Sequence, residues 1–383
     1  MHDATAAAMQ LKKLHQQVIV ITGASSGIGL TTARMAARAG AKVVLTARDE
    51  NTLRKEVENL RAEGLEATFL AGDVAEPETL QRVGQHAEET YGRIDTWVNN
   101  AGVAIFGLAE HVALEDMRRL FDVTFWGVVH GTRAALPRLK RHGGTLINLG
   151  SIESEIGVPY HSAYSAAKHA VKGYTDTVRM EIEKERAPVV VTLVKPSAID
   201  TPFFEHGKNY MAKNPAPPPP VYAPELVART ILHCAQKPVR EITVGGSGRV
   251  FVALTRRLPR TADRLFEATM FRMQQTDRAT RTDQEGSLRK PGAFNGQQRG
   301  QFDGHVRESS YSTALALMPA QKVIGVALLG AAVVGAASLL RGSPMRTLPR
   351  VAHRKLPTLA RGRDDGRAHP YESVEGDPSA HAE

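Results

Sequence analysis

Cysteine is almost missing from this chain: Cys234 stands alone among 383 residues. A lone thiol closes no intrachain disulfide, so the fold must rest on its core, where Cys234 fits as a small buried apolar residue. No His/Cys cluster with ligand spacing surrounds it, and no metal is expected. Aromatic residues are scarce, at 5%, and are not interleaved with the arginines, which speaks against nucleic acid as a partner. The first 17 residues lack the apolar run of a secretory leader, so a cytoplasmic catalytic domain is expected. No internal repeat is visible.

What is present points to a globular protein, with 42% hydrophobic and 23% charged residues. The net charge of +9 is unevenly spread: residues 1–250 carry 29 Lys and Arg against 27 Asp and Glu, whereas residues 251–383 carry 20 against 13. A basic C-terminal third suits an anionic surface.

Short β-branched runs alternate with helix-prone stretches from Val18 to Val194. That alternation predicts a doubly wound parallel α/β sheet with helices on both faces, the Rossmann arrangement, in one catalytic domain over 16–250. Residues 1–15 form an N-terminal extension. The span 251–311 reads as a basic amphipathic and linker region, with 276–310 polar enough for partial disorder. Within it, 254–273 has an apolar helical face among arginines, fit either for anionic lipid or for capping the sheet. The uncharged run 323–340 is at the short end of a membrane-spanning helix, and 341–383 reads as a disordered tail. Membrane contact through the C-terminal region is therefore expected.

Ligands of such a sheet bind beyond the carboxyl ends of its strands. There the sequence places Gly23, Ser25, Ser26, Gly27, Ile28 and Gly29, a GxxxGxG turn between a strand and a helix. Glycines let its backbone turn tightly and offer amides to a pyrophosphate at the positive end of the helix. Arg48 follows the second strand, where a carboxylate would hold an adenosine ribose 2′-hydroxyl. A guanidinium pairs instead with a 2′-phosphate, so NADP(H) is expected over NAD(H). Tyr164 and Lys168, four residues apart on a predicted helix, share one face. An ammonium near a phenol lowers its pKa, and the spacing predicts Tyr164 as an acid/base tuned toward neutrality by Lys168.

TGASSGIG at 22–29, GDV at 72–74, NNAG at 99–102, Ser151 and YSAAK at 164–168 together resemble the short-chain dehydrogenase/reductase family, in consistent order over about residues 16–250. The resemblance implies hydride exchange between a nicotinamide and a carbonyl or secondary alcohol, with Ser151, Tyr164 and Lys168 catalytic. It also implies that Asp73 and Val74 contact adenine, that Asn99, Ala101 and Gly102 lie beside the cofactor, that Thr201 meets the carboxamide near Pro196, and that the chain forms a homodimer or homotetramer. Two departures stand out. Thr124 replaces a usual asparagine that orders a proton-relay water, and Ser197 replaces the glycine after Pro196. Neither removes the acid or its lysine, so an active enzyme is expected. A cofactor-binding sensor with weakened catalysis is the alternative. On the substrate side, Glu153, His161, Phe203, Phe204 and the proline-rich segment to Pro220 are candidates, with His161 reading more readily as a surface residue. An apolar carbonyl of lipid, sterol or retinoid type is the expected substrate class.

Overall fold

The computed structural model describes residues 10–280 and 285–318. The expected membrane helix at 323–340 and the tail 341–383 lie outside them. Among the described residues no helix is long and apolar enough to cross a membrane, so the membrane expectation gains no support.

The β-branched runs become seven parallel strands: β1 (Val18–Thr22), β2 (Lys42–Thr46), β3 (Ala67–Phe69), β4 (Thr96–Asn99), β5 (Gly144–Leu149), β6 (Val189–Pro196) and β7 (Glu241–Val244). Their order is β7-β6-β5-β4-β1-β2-β3. Successive side chains leave opposite faces of a strand, and the core divides accordingly. Ile19, Ile21, Val43 and Leu45 pack under α1 (Gly27–Arg38), α2 (Glu50–Ala62) and a later helix, Pro224–Cys234. Val18, Val20, Val44 and Trp97 pack under α3 (Pro77–Tyr91), α5 (Gly127–His142) and α6 (Ser162–Glu185). The expected doubly wound fold is thus observed. The order reverses between β1 and β4, which opens a crevice at their carboxyl ends.

Three local features differ from the periodicity. The helix-prone stretch after β4 is divided into α4 (Leu114–Phe121) and α5 by a π-helical turn, Asp122–Trp126, that carries Thr124. The amphipathic stretch also breaks in two, giving Gly246–Arg257 and Pro259–Met273; Pro259 cannot continue the first helix and opens the second. The apolar face of the second buries Ala262, Phe266 and Met270, and Phe266 and Met270 pack with Ile156. That face covers the body of the protein, while Leu258 and Leu265 stay exposed. Finally, residues 285–300, polar enough to read as linker, run as a strap along the crevice. Gly27 N–H donates to the Gln297 carbonyl at 2.9 Å, and Gly296 N–H to the Ser25 carbonyl at 2.7 Å.

Candidate active site

The cleft begins where β1 enters the glycine turn. Gly23 has φ +66°, and a Cβ there would stand 2.7 Å from Ala101 Cα, so only glycine fits. Gly29 lies behind the turn, where a Cβ would overlap the Gly23 carbonyl oxygen. Its role is to let the helix approach the turn; Gly23, Ser25, Ser26, Gly27 and Ile28 form the cleft wall.

Asn99 departs from expectation. It is the last residue of β4 and faces inward, taking Trp97 Nε1–H at 2.8 Å and donating to Asn148 Oδ1 at 2.9 Å. Asn148 in turn donates to Thr175 Oγ1 of α6 at 2.9 Å. Asn99 thus ties strands to the helix that carries Tyr164, and its side chain is kept from the cleft by strand alternation. The neighbouring Asn100 lines the cleft instead. Its Nδ2 donates to the carbonyls of Thr22 at 2.9 Å and Gly23 at 3.2 Å, which staples β1 to β4. The NNAG motif contains Asn100, but periodicity cannot say which of two adjacent asparagines faces a ligand.

Arg48, Asp49, Asp73, Val74, Ala101, Gly102, Pro196 and Thr201 also line the cleft. Arg48 donates to the Leu288 carbonyl at 3.2 Å and to that of Ser287, both on the strap. Burial lowers its pKa, with Asp73 opposing. Asp73 is paired with Arg119 and accepts from Ala75 N–H at 3.0 Å. Asp49 caps α2 by accepting from Thr52 N–H at 3.1 Å, and takes Asn295 Nδ2–H from the strap at 2.7 Å. These contacts between positions some 240 residues apart left no trace in sequence spacing.

Ser151 follows β5 and caps a single 3₁₀ turn, its Oγ accepting from Glu153 N–H at 3.1 Å. Its hydroxyl lies near enough to Tyr164 to favour the charged form of the phenol. Tyr164 and Lys168 do share a face of α6, with Nζ 5.6 Å from the phenol ring centre. The expected electrostatic tuning is corrected, however. Burial pushes the Tyr164 phenol well above its ordinary value and Glu153 adds to the rise, with only the Ser151 hydrogen bond opposing. Lys168 Nζ donates to the Leu149 carbonyl at 2.7 Å. Burial pushes its own pKa down to about 8, against Glu153. In this environment desolvation exceeds the Coulombic benefit that spacing alone suggested.

The Lys168 shift has a consequence for stability. Its ordinary value is 10.5, so between pH 8 and 10.5 the unfolded chain binds more protons than the folded one. The burial penalty is therefore complete below pH 8 and fades as the pH rises to 10.5. The stability difference between Lys168→Met and wild type should move in favour of wild type over that range. Urea denaturation of both at pH 7.5 and 10.5 checks this; a constant difference would contradict it.

Thr124 is fully buried. Its Oγ1 accepts from Val103 N–H at 3.3 Å and is absent from the cleft wall. The hydroxyl braces the loop after β4, and a Cβ at Gly102 would stand 3.9 Å from it and 3.8 Å from Lys168 Nζ. On the substrate side Glu153, His161, Phe203, Phe204, Pro218 and Pro219 line a cavity continuous with the cleft, of about 260 Å³ in all. His161 is 3% exposed, not a surface residue. Phe251, Met270 and Gln274 complete the wall from beyond residue 250.

A parallel sheet with a glycine turn at its reversal and a serine, tyrosine and lysine across the crevice defines a nucleotide-binding oxidoreductase. The model of the short chain dehydrogenase family matches residues 17–210. Uncharacterized oxidoreductase YxnA of Bacillus subtilis is 44% identical over 333 residues, 86% of this chain and 92% of that protein. Putative oxidoreductase SadH of Mycobacterium tuberculosis is 34% identical, over 66% of this chain and 94% of that one. Among solved structures, a short chain dehydrogenase/reductase from Burkholderia phymatum in complex with NAD superposes with a TM-score of 0.59 at 25% identity, covering 66% of this chain and 96% of that chain. An alcohol dehydrogenase from Thermococcus sibiricus complexed with 5-hydroxy-NADP gives 0.53 at 28%, covering 60% and 95%. This chain belongs to the short-chain dehydrogenase/reductase family and is an oxidoreductase acting on CH–OH/C=O groups.

Proposed function

We propose that this enzyme reduces the carbonyl, or oxidises the secondary alcohol, of a small molecule with an apolar body, and that it uses NADP(H) in preference to NAD(H). The observation that carries this reading is a single cleft with Arg48 and the glycine turn at one end and Ser151, Tyr164 and Lys168 beside an apolar wall at the other. The residues present suit the cofactor: glycines admit a close-lying pyrophosphate beside Ile28, Arg48 suits a 2′-phosphate, and Lys168 lies deep enough to hold the nicotinamide ribose. Bound cofactor supplies or accepts the hydride.

The protein's part is to bind, orient and move a proton. Ser151 donates to the substrate oxygen and fixes it against Tyr164. As the carbonyl carbon is reduced, its oxygen gains negative charge, and the protonated phenol delivers a proton to it. In oxidation the Tyr164 oxygen, once it has lost its own proton, takes the proton of the alcohol. Phe203 and Phe204 shield the site from water, which strengthens these hydrogen bonds. A homodimer or homotetramer, which the family resemblance implies, is measurable by sedimentation.

The test is NADPH and NADH consumption across a panel of ketones by the full-length protein. Wild type should favour NADPH, and Arg48→Ala should cut the NADPH/NADH ratio of kcat/KM by about 10- to 100-fold, the worth of a charged bidentate contact. Equal use of both cofactors, unaltered by Arg48→Ala, would remove the NADP(H) preference. Cofactor binding without turnover of any carbonyl would favour a sensor.

A further inference from the structure

The strap lies beyond the region matched by the family model, which ends at residue 210, yet it crosses the crevice from the α4 side of the sheet to the α1 side. On the α4 side Leu288 is buried in the same cluster as Val74 and Leu120. Its carbonyl accepts from Arg48 and from Arg119 Nε, both at 3.2 Å, and Arg289 pairs with Asp116. On the α1 side Asn295 Nδ2 donates to Asp49 Oδ2 at 2.7 Å, and Asn295 Oδ1 accepts from Ser25 Oγ at 3.4 Å. Gln298 Nε2 donates to Thr31 Oγ1 at 2.9 Å, and Gln298 Oε1 accepts from Arg34 at 2.8 Å.

The strap walls the cleft and leaves it open: Ser287, Pro291, Gly292 and Asn295 line the same cavity as Arg48 and Asp73. Its ties reach the glycine turn, which suits a pyrophosphate, and Arg48, which suits a 2′-phosphate. The walled part of the cleft is thus the part between those two anions. Little apolar burial secures the wall. Among residues 285–300 Leu288 alone is a buried apolar side chain, and Arg289, Lys290, Pro291 and Ala293 are exposed. A segment held by polar ties and one buried side chain opens at low cost while the sheet stays folded.

We propose that the strap is the outer wall of the cofactor site: it opens to admit the adenosine half of the dinucleotide, closes over it and slows its release. Asn295 is the positioning residue that holds the wall against Asp49 and Ser25. The proposal rests on the dinucleotide reading above. A molecule lying between the glycine turn and Arg48 cannot leave sideways until the strap lets go, so the C-terminal extension sets the rate of cofactor exchange.

The experiment follows NADPH binding to the full-length protein by stopped-flow fluorescence, together with hydrogen exchange of the strap amides. Wild type is compared with Asn295→Ala and with the double variant Arg289→Ala/Gln298→Ala, whose side chains tie the strap outside the cleft wall. Each variant should release NADPH about tenfold faster or more, the worth of a lost hydrogen bond to a charged group, with the change mainly in dissociation. In wild type, saturating NADPH should slow exchange over 285–300 by about tenfold or more. Thermal melting shows whether each variant is folded, and the exchange measurement needs no variant. Release within about threefold of wild type in both folded variants overturns the proposal, as does strap exchange unaltered by NADPH. Faster association and tighter binding in the variants would reveal a strap that blocks the cofactor, which also overturns it. Failure of wild type to bind NADPH or NADH would overturn the dinucleotide reading itself, whereas equal release rates leave that reading intact and reject only the role of the strap.

Discussion

Tyr164→Phe is expected to lower turnover by about 10³-fold, within the range usual for loss of a general acid, while cofactor affinity stays within a few-fold of wild type. The hydroxyl is the group that matters. The ring packs against Phe203 with centroids 5.2 Å apart and against His161, and phenylalanine retains both contacts. What is lost is a proton held on oxygen by burial and steered by Ser151. Water cannot readily replace it, because Tyr164 is only 8% exposed. Parallel measurement of NADPH consumption and NADPH binding separates the two effects. A variant within tenfold of wild type in turnover would exclude Tyr164 as the proton donor.

Gly29→Ala is the second large effect, and it acts through packing. The new methyl would overlap the Gly23 carbonyl oxygen and stand 2.6 Å from Asn100 Nδ2. Neither can simply retreat, because Asn100 joins the ends of β1 and β4 through the Thr22 and Gly23 carbonyls. The helix must shift away from the turn, at a cost of about 1–3 kcal/mol for an overpacked site. A shifted helix no longer aims its amides at a pyrophosphate, so cofactor affinity should fall more than tenfold. Gly64 is a useful comparison: it has φ +79°, and a Cβ there meets nothing within 4 Å. Gly64→Ala should therefore show backbone strain alone and leave cofactor affinity unaltered. Thermal melting with and without NADPH measures both variants. Wild-type affinity in Gly29→Ala would show that the turn does not depend on this close approach.

The strap adds a layer that the 17–210 family match does not contain. Ser287 and Leu288 offer carbonyls to Arg48, and Asn295 reaches Asp49 and Ser25. Those two carbonyls anchor the guanidinium at the cleft wall.

The sequence by itself determined the sheet, the glycine turn and the face shared by Tyr164 and Lys168. Strand and helix follow from local periodicity, glycine from local backbone geometry, and a four-residue spacing on a helix needs no distant partner. Tertiary structure alone decided the rest. It turned Asn99 inward and Asn100 outward, tied Thr124 to Val103, buried His161, and brought Gln274 and the strap to a cleft formed hundreds of residues earlier. It also reversed the expected titration of Tyr164. The physical reason is common to all of these: burial, desolvation and hydrogen bonds between remote segments depend on which surfaces meet, and spacing along the chain carries no record of that.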